Sequence, residues 1–110
     1  SVGCEAGEAH HKGFGRGVEG ICRLDDMQPK LNCDLSLGLL KIVVDRSTLQ
    51  IIGCQILASD ASEWISWALF AIKKKLTPKD LMRFSSGLGV VSRGFQEAAK
   101  AVLKSIKLSS

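Results

Sequence analysis

The sequence predicts a single α+β domain, an antiparallel sheet with three helices packed on one side. Three observations predict it. A β-branched run at residues 39–44 and a second apolar run at residues 49–57 flank a four-residue turn segment, as in a hairpin. Two later stretches, residues 61–72 and 91–106, repeat their apolar residues at helical spacing. Strand-like segments come first and helical ones after, which is not the alternation that builds a parallel α/β sheet.

The elements follow in chain order. Ser1-Val2-Gly3 is too short to read as an element by itself, and residues 5–17, rich in Gly, Glu and His, read as loop. Val18, Gly20, Cys22 and Leu24 alternate with Glu19, Ile21 and Arg23, the period of a short strand. Residues 25–36 hold Asp25-Asp26, Pro29 and Asn32 and read as a long connection. Leu39-Leu40-Lys41-Ile42-Val43-Val44 is the first hairpin strand, Asp45-Arg46-Ser47-Thr48 the turn, and residues 49–57 the return strand. Strict alternation puts Ile52, Cys54 and Ile56 on one face and Leu49, Ile51 and Leu57 on the other, so this strand is expected to be buried on both sides.

Asp60 and Glu63 resemble a capping box that opens the first helix. Ala61, Trp64, Ile65, Ala68, Leu69 and Ile72 make its expected core stripe. Trp67 and Phe70 fall off that stripe, and a helix that is apolar beyond one core needs a second surface to bury against. Thr77-Pro78 is a capping Thr with Pro at the first helical position, starting a short helix over residues 79–84. Residues 85–89, Ser-Ser-Gly-Leu-Gly, read as loop. Val91, Phe95, Ala98, Val102 and Ile106 then mark a last helix of about four turns.

Length and charge exclude several functions. The 110 residues hold one domain, too few for a dinucleotide-binding domain with a substrate domain or for a TIM barrel. No apolar run reaches the ~18 residues that span a bilayer, and no signal peptide opens the chain, so no membrane partner is expected. The absent initiator Met leads us to expect a piece of a longer protein. The net charge of +4 divides unevenly: residues 1–72 hold six Lys and Arg against nine Asp and Glu, and residues 73–110 hold nine against two. A basic tail suits a nucleic-acid face, but Lys73-Lys74-Lys75 equally closes a helix, and Lys100, Lys104 and Lys107 sit at helical spacing on a solvated face. Aromatic residues are not interleaved with these cations, so no stacking platform for single strands is evident and no nucleic acid is expected as partner.

No constellation reads as an active site. Cys4, Cys22, Cys33 and Cys54 include no C-x-x-C pair, so neither a zinc nor a thioredoxin-like redox site is indicated. Reduced thiols in a cytoplasmic protein are the expectation, with Cys54 a small hydrophobe in its apolar run. Gly15-Arg16-Gly17-Val18-Glu19-Gly20 matches G-x-G-x-x-G, but a strand follows it where a dinucleotide site needs a helix, and the glycines read as flexible loop. His10 and His11 are adjacent, fit no common zinc spacing with Cys4 and Cys22, and read as a solvated pair.

Residues 38–63 nevertheless carry a recognisable pattern: an apolar strand containing Lys41, then Asp45-Arg46-Ser47-Thr48, then Ile51-Ile52-Gly53, then Ala61-Ser62-Glu63 opening an apolar helix. Ala68-Leu69-Phe70-Ala71-Ile72, Leu76-Thr77-Pro78-Lys79-Asp80-Leu81, Glu97-Ala98-Ala99 and the opening Ser1-Val2-Gly3 continue it in order. This resembles the C-terminal dimerisation domain of the pyridine nucleotide–disulfide oxidoreductases, the family of dihydrolipoamide dehydrogenase, glutathione reductase and mercuric reductase. The resemblance covers nearly the whole chain and is weakest over residues 5–36. It implies a homodimer whose FAD and NAD(P)H bind to other domains of the parent, with no cofactor in this chain. In many members this domain also lends a His-Pro…Glu segment to the partner's active site. Leu88 stands where the His would be, Gly89 at the Pro and Arg93 at the Glu, so that acid/base role does not carry over.

The expected function is therefore homodimerisation of an FAD- and NAD(P)H-linked oxidoreductase. Trp64, Trp67, Phe70, Val91 and Phe95 are the expected contact residues. Two alternatives stand beside it: a self-associating module without a catalytic parent, and a nucleic-acid binder using residues 73–107.

Overall fold

The computed structural model describes residues 2–3, 5–9, 13–23, 38–57, 61–83 and 90–109. Strands β1 (Val2–Gly3), β2 (Gly17–Arg23), β3 (Leu39–Asp45) and β4 (Ile51–Leu57) form one antiparallel sheet in the order β1-β4-β3-β2. A 3₁₀ turn, Ala6–Glu8, precedes β2, and helices α1 (Ala61–Lys73), α2 (Pro78–Met82) and α3 (Val90–Ser109) follow β4. The α+β class and the one-sided helical layer are as the sequence predicts. Residues 25–36 and 85–89, Asp60 and Leu24 lie outside the described residues.

The main core is the helix-facing side of the sheet. Val18, Cys22, Leu40, Ile42, Val44, Ile51 and Cys54 meet Trp64, Ala68 and Ala71 of α1, Leu81 of α2, and Val91, Phe95, Ala98, Ala99 and Val102 of α3. Strand β2 alternates as expected, with Val18, Gly20 and Cys22 inward and Glu19, Ile21 and Arg23 outward. Burying apolar side chains at about 25 cal/mol per Å² is what holds the helices to the sheet. A smaller cluster of Ala9, Val43 and Ile52, flanked by Ala6 and Phe14, covers part of the opposite side. Farther along that side Ile21 and Leu57 are exposed, and Lys41 pairs with Glu19 at 3.0 Å.

Four details depart from the sequence reading, the first three for a clear physical reason. Val2 and Gly3, too short to form an element alone, pair with Cys54 and Gly53, because the open edge of β4 supplies the missing partner. Ile51 and Ile52 exchange faces: Ile51 lies in the main core and Ile52 in the small cluster. The pairing steps from Val43↔Gly53 to Val44↔Ile51, and the extra residue of this bulge resets the alternation. The stripe of α1 is also rotated. Trp64, Ala68 and Ala71 are buried with Trp67 packed beside them, while Leu69, expected in the core, is 53% exposed. Two helical stripes share Trp64, Ala68 and Ile72, so periodicity alone did not choose between them. Finally, α3 runs 20 residues to Ser109, longer than the expected four turns.

The glycines of the G-x-G-x-x-G run are not a flexible loop throughout. Gly17 and Gly20 lie in β2, and a strand follows them as the sequence indicated. A Cβ on Gly20 would run into the Val102 side chain and come within 2.5 Å of the Ala98 carbonyl oxygen. The missing side chain is what lets α3 lie close on the sheet, against its own small residues Ala98 and Ala99.

Candidate functional site

Helix α1 is the element whose sequence exceeds the needs of one core. It begins with Glu63 in the first turn and ends with Lys73 in the last, charges that suit the helix dipole. Its end is a Schellman motif: Leu76 N–H donates to Ala71 O at 3.0 Å and Lys75 N–H to Ile72 O at 3.1 Å. Lys75 therefore takes a left-handed φ of 55°. The chain turns at once into α2, where Thr77 accepts from Asp80 N–H at 3.3 Å and the Asp80 carboxylate accepts from Thr77 N–H at 2.9 Å.

Inside, Phe95 of α3 sits against both tryptophans of α1. Its ring centroid is 6.1 Å from those of Trp64 and Trp67, tilted 32° to the first and 27° to the second. Such pairs add about 0.5–1.5 kcal/mol each beyond area burial and fix the angle between the helices. Outside, Leu69 and Phe70 stand side by side at 53% and 48% exposure.

The five expected contact residues are thus divided. Phe70 is on the surface and Trp67 is half-buried, one flank on Phe95. Trp64, Val91 and Phe95, only 4%, 5% and 1% exposed, are placed in the chain's own core and have little surface left to give a partner. Leu69 is the surface residue that sequence reasoning missed. The pointer to it was there: Ser62, Ser66 and Lys73 recur on one side of the helix, all exposed, and Leu69 falls among them.

The D-x-x-T turn proves architectural. Asp45, 3% exposed, accepts from Gly15 N–H at 3.1 Å, Ser47 N–H at 2.9 Å and the Thr48 hydroxyl at 3.1 Å. Its carboxylate ties the hairpin turn to the loop that enters β2. It has no free face for chemistry.

The remaining candidates are placed as follows. Cys22 and Cys54 are buried in the main core, and burial pushes the Cys54 thiol up to about 12. Cys4, Cys33, His10, His11 and Leu88 lie outside the described residues, while Arg93 is half-buried in the first turns of α3. Among the described residues no three His, Cys, Asp or Glu side chains converge as a metal site would need, and no helix is long and apolar enough to cross a membrane. Lys73, Lys74, Lys75, Lys79, Arg83, Lys100, Lys104 and Lys107 are all exposed and are spread over three helices and their junctions.

The profile of the pyridine nucleotide-disulphide oxidoreductase dimerisation domain matches residues 1–99. The chain belongs to this family. The dimerisation domain is 28% identical to mercuric reductase of Serratia marcescens over 107 residues, covering 97% of this chain and 23% of that protein. It is 29% identical to mercuric reductase of Shigella flexneri, again over 97% of this chain and 19% of the relative. Dihydrolipoyl dehydrogenase 1, mitochondrial, of Arabidopsis thaliana is 35% identical over 68 residues, which is 62% of this chain and 13% of that one. Among solved structures, a NAD-dependent persulfide reductase from A. fulgidus shares the fold, with a TM-score of 0.64 at 19% identity, covering 96% of this chain and 20% of that one. The dimerisation domain thus spans about a fifth of the mercuric reductases it matches, at 23% and 19% of their lengths.

Proposed function

We propose that this domain holds together the homodimer of a longer oxidoreductase, one that works with FAD and NAD(P)H bound outside these residues. The observation that carries the reading is the outer face of α1. Leu69 and Phe70 are about half exposed on a helix whose opposite side is anchored in the core, in a family named for dimerisation. Removing such a face from water favours association at about 25 cal/mol per Å², before the cost of bringing two chains together. Mercuric-reductase-like relatives support the flavin- and nicotinamide-linked parent. The free, buried thiol of Cys54 supports a reducing, cytoplasmic setting.

The domain's own acid/base contribution to a partner's active site is not part of this reading. Leucine at position 88 has no titratable proton, and Arg93 carries a charge opposite to that of the Glu it replaces.

Sedimentation of the 110-residue chain at low and high salt tests the proposal. A dimer that persists at high salt, without affinity for DNA or RNA, is the expected result. A monomer that binds nucleic acid at low salt and releases it steeply with added salt would instead establish the basic-tail alternative. The parent's class is read from the segment encoded upstream of Ser1, where a G-x-G-x-x-G after a strand and a redox cysteine pair are expected. An upstream segment lacking both would leave a self-associating module without a flavoenzyme.

A further inference from the structure

The net charge of the protein is concentrated at one corner. Residues 73–83, where α1 ends, the chain turns and α2 follows, hold Lys73, Lys74, Lys75, Lys79 and Arg83 against Asp80 alone. The rest of the chain balances ten cations against ten anions, so this corner carries the whole +4. All five cations are exposed, and among the described residues none of them has an ion-pair partner within the chain. The Asp80 carboxylate is turned back into the fold, accepting from Thr77 N–H at 2.9 Å.

Local structure accounts for only part of this charge. Lys73 and Lys74 complement the dipole at the C-terminus of α1, and Arg83 does the same for α2. Lys75 and Lys79 run against local preference. Lys75 holds a left-handed φ of 55° just after the helix, where glycine fits at least cost. Lys79 is the second residue of α2, where a helix N-terminus repels a cation. Two cations are thus kept where the fold alone disfavours them, as expected when charge serves binding rather than stability.

The corner is also firmly held, and it is not purely polar. Leu76 C=O accepts from Ile51 N–H at 2.8 Å, which ties the turn to the start of β4, and Leu81 of α2 is fully buried. Lys79 and Arg83 lie one turn apart, with Met82, 37% exposed, beside them on the same face. We propose that this corner docks a short acidic segment of another polypeptide, its carboxylates on the cations and one apolar side chain on Met82. A preorganised surface needs little ordering on binding, and methionine adapts its unbranched side chain to the shape of a partner. Nucleic acid is drawn to the same charge, but residues 73–83 offer no aromatic ring on which a base could stack. Four of the five cations are Lys, without the planar fork with which Arg reads phosphates and bases. Docking here is independent of self-association, since it uses neither Leu69 nor Phe70.

Fluorescence anisotropy of a short labelled peptide, Asp and Glu around one Leu, titrated with the 110-residue chain, tests this. Binding that weakens as salt rises is expected. Lys75→Gly and Lys79→Gln should each lower the affinity about threefold, and the two together about tenfold. Lys75→Gly relieves the left-handed residue, so binding lost in that variant does not come from lost folding. Lys100→Gln/Lys104→Gln removes two exposed cations of α3 outside the corner and should change the affinity by less than about twofold near physiological salt. Replacing the Leu of the peptide by Ser should weaken binding about twofold, and no change would overturn the contact with Met82. An equal loss in the α3 variant would mean attraction to net charge alone and would overturn the proposal, as would failure of the peptide to bind. Tighter binding of a single-stranded oligonucleotide of the same length, or of phosphatidylserine vesicles, would overturn it too, assigning the corner to nucleic acid or to a membrane surface.

Discussion

Replacing Asp45 by alanine removes one carboxylate and three hydrogen bonds from the junction between the hairpin turn and the loop before β2. Two of the three, from Ser47 N–H at 2.9 Å and the Thr48 hydroxyl at 3.1 Å, join groups at an exposed turn that water can reach. The third, from Gly15 N–H at 3.1 Å, crosses 30 positions of sequence and has less access to water. A hydrogen bond to a charged acceptor is worth about 1.5–3 kcal/mol when buried, and less where solvent replaces the partner. One at about 2 kcal/mol, since it is only partly buried, and two discounted to about 0.5 kcal/mol each give a loss of about 3 kcal/mol. Asp45→Asn keeps one carbonyl oxygen for the two N–H donors and loses the acceptor for Thr48, so about 1 kcal/mol is expected. Urea unfolding followed by the fluorescence of Trp64 and Trp67 measures both, with an unchanged m-value as the check that only stability moved. If Asp45→Ala costs less than the asparagine variant, or less than about 0.5 kcal/mol, the carboxylate is not what ties the turn.

Three further outcomes are expected. Gly20→Ala drives a Cβ into Val102 and the Ala98 carbonyl, so thermal unfolding should show a loss of about 2–3 kcal/mol, whereas a gain would mean that α3 stands off the sheet. Lys75→Gly relieves a left-handed residue at φ 55° and should raise stability by about 1 kcal/mol in the same assay. Cys54 should resist alkylation in the folded chain at pH 8 and react once urea unfolds it, as mass spectrometry of the peptide containing residue 54 would show. Its folded value of about 12 lies above the ordinary 9.0, so the unfolded chain ionises first, and stability falls as pH rises from about 9 to 12. Cys54→Val should flatten that fall.

The legible parts of this protein are those encoded by local period and local chemistry. The 39–57 hairpin, the alternation of β2, the Thr77-Pro78 helix start and the core face of α3 could be read because each is decided within a few residues. The candidate contact residues were legible only as a set. Aromatic residues such as Trp64 and Phe95 are favoured in interface cores as they are in a chain's own core, and the difference between core and contact is whether the chain's own sheet and helices cover them. Leu69 was assigned inward because α1 is apolar on nearly every side, which leaves its rotation about its own axis undetermined by sequence period.

Sequence alone determined the class, the order of strands and helices, the surplus of apolar surface on one helix and the cations that close it. These follow from side-chain period and charge, which need no knowledge of neighbours. Tertiary structure decided which of those apolar residues face out. It did so through the bulge at Ile52, which exchanges two side chains between faces, and through the stacking of Phe95 on Trp64 and Trp67, which turns α1 so that Leu69 and Phe70 are left in water. A helix rotates to bury the face that fits its neighbours best, and that fit is a property of all the packed elements together.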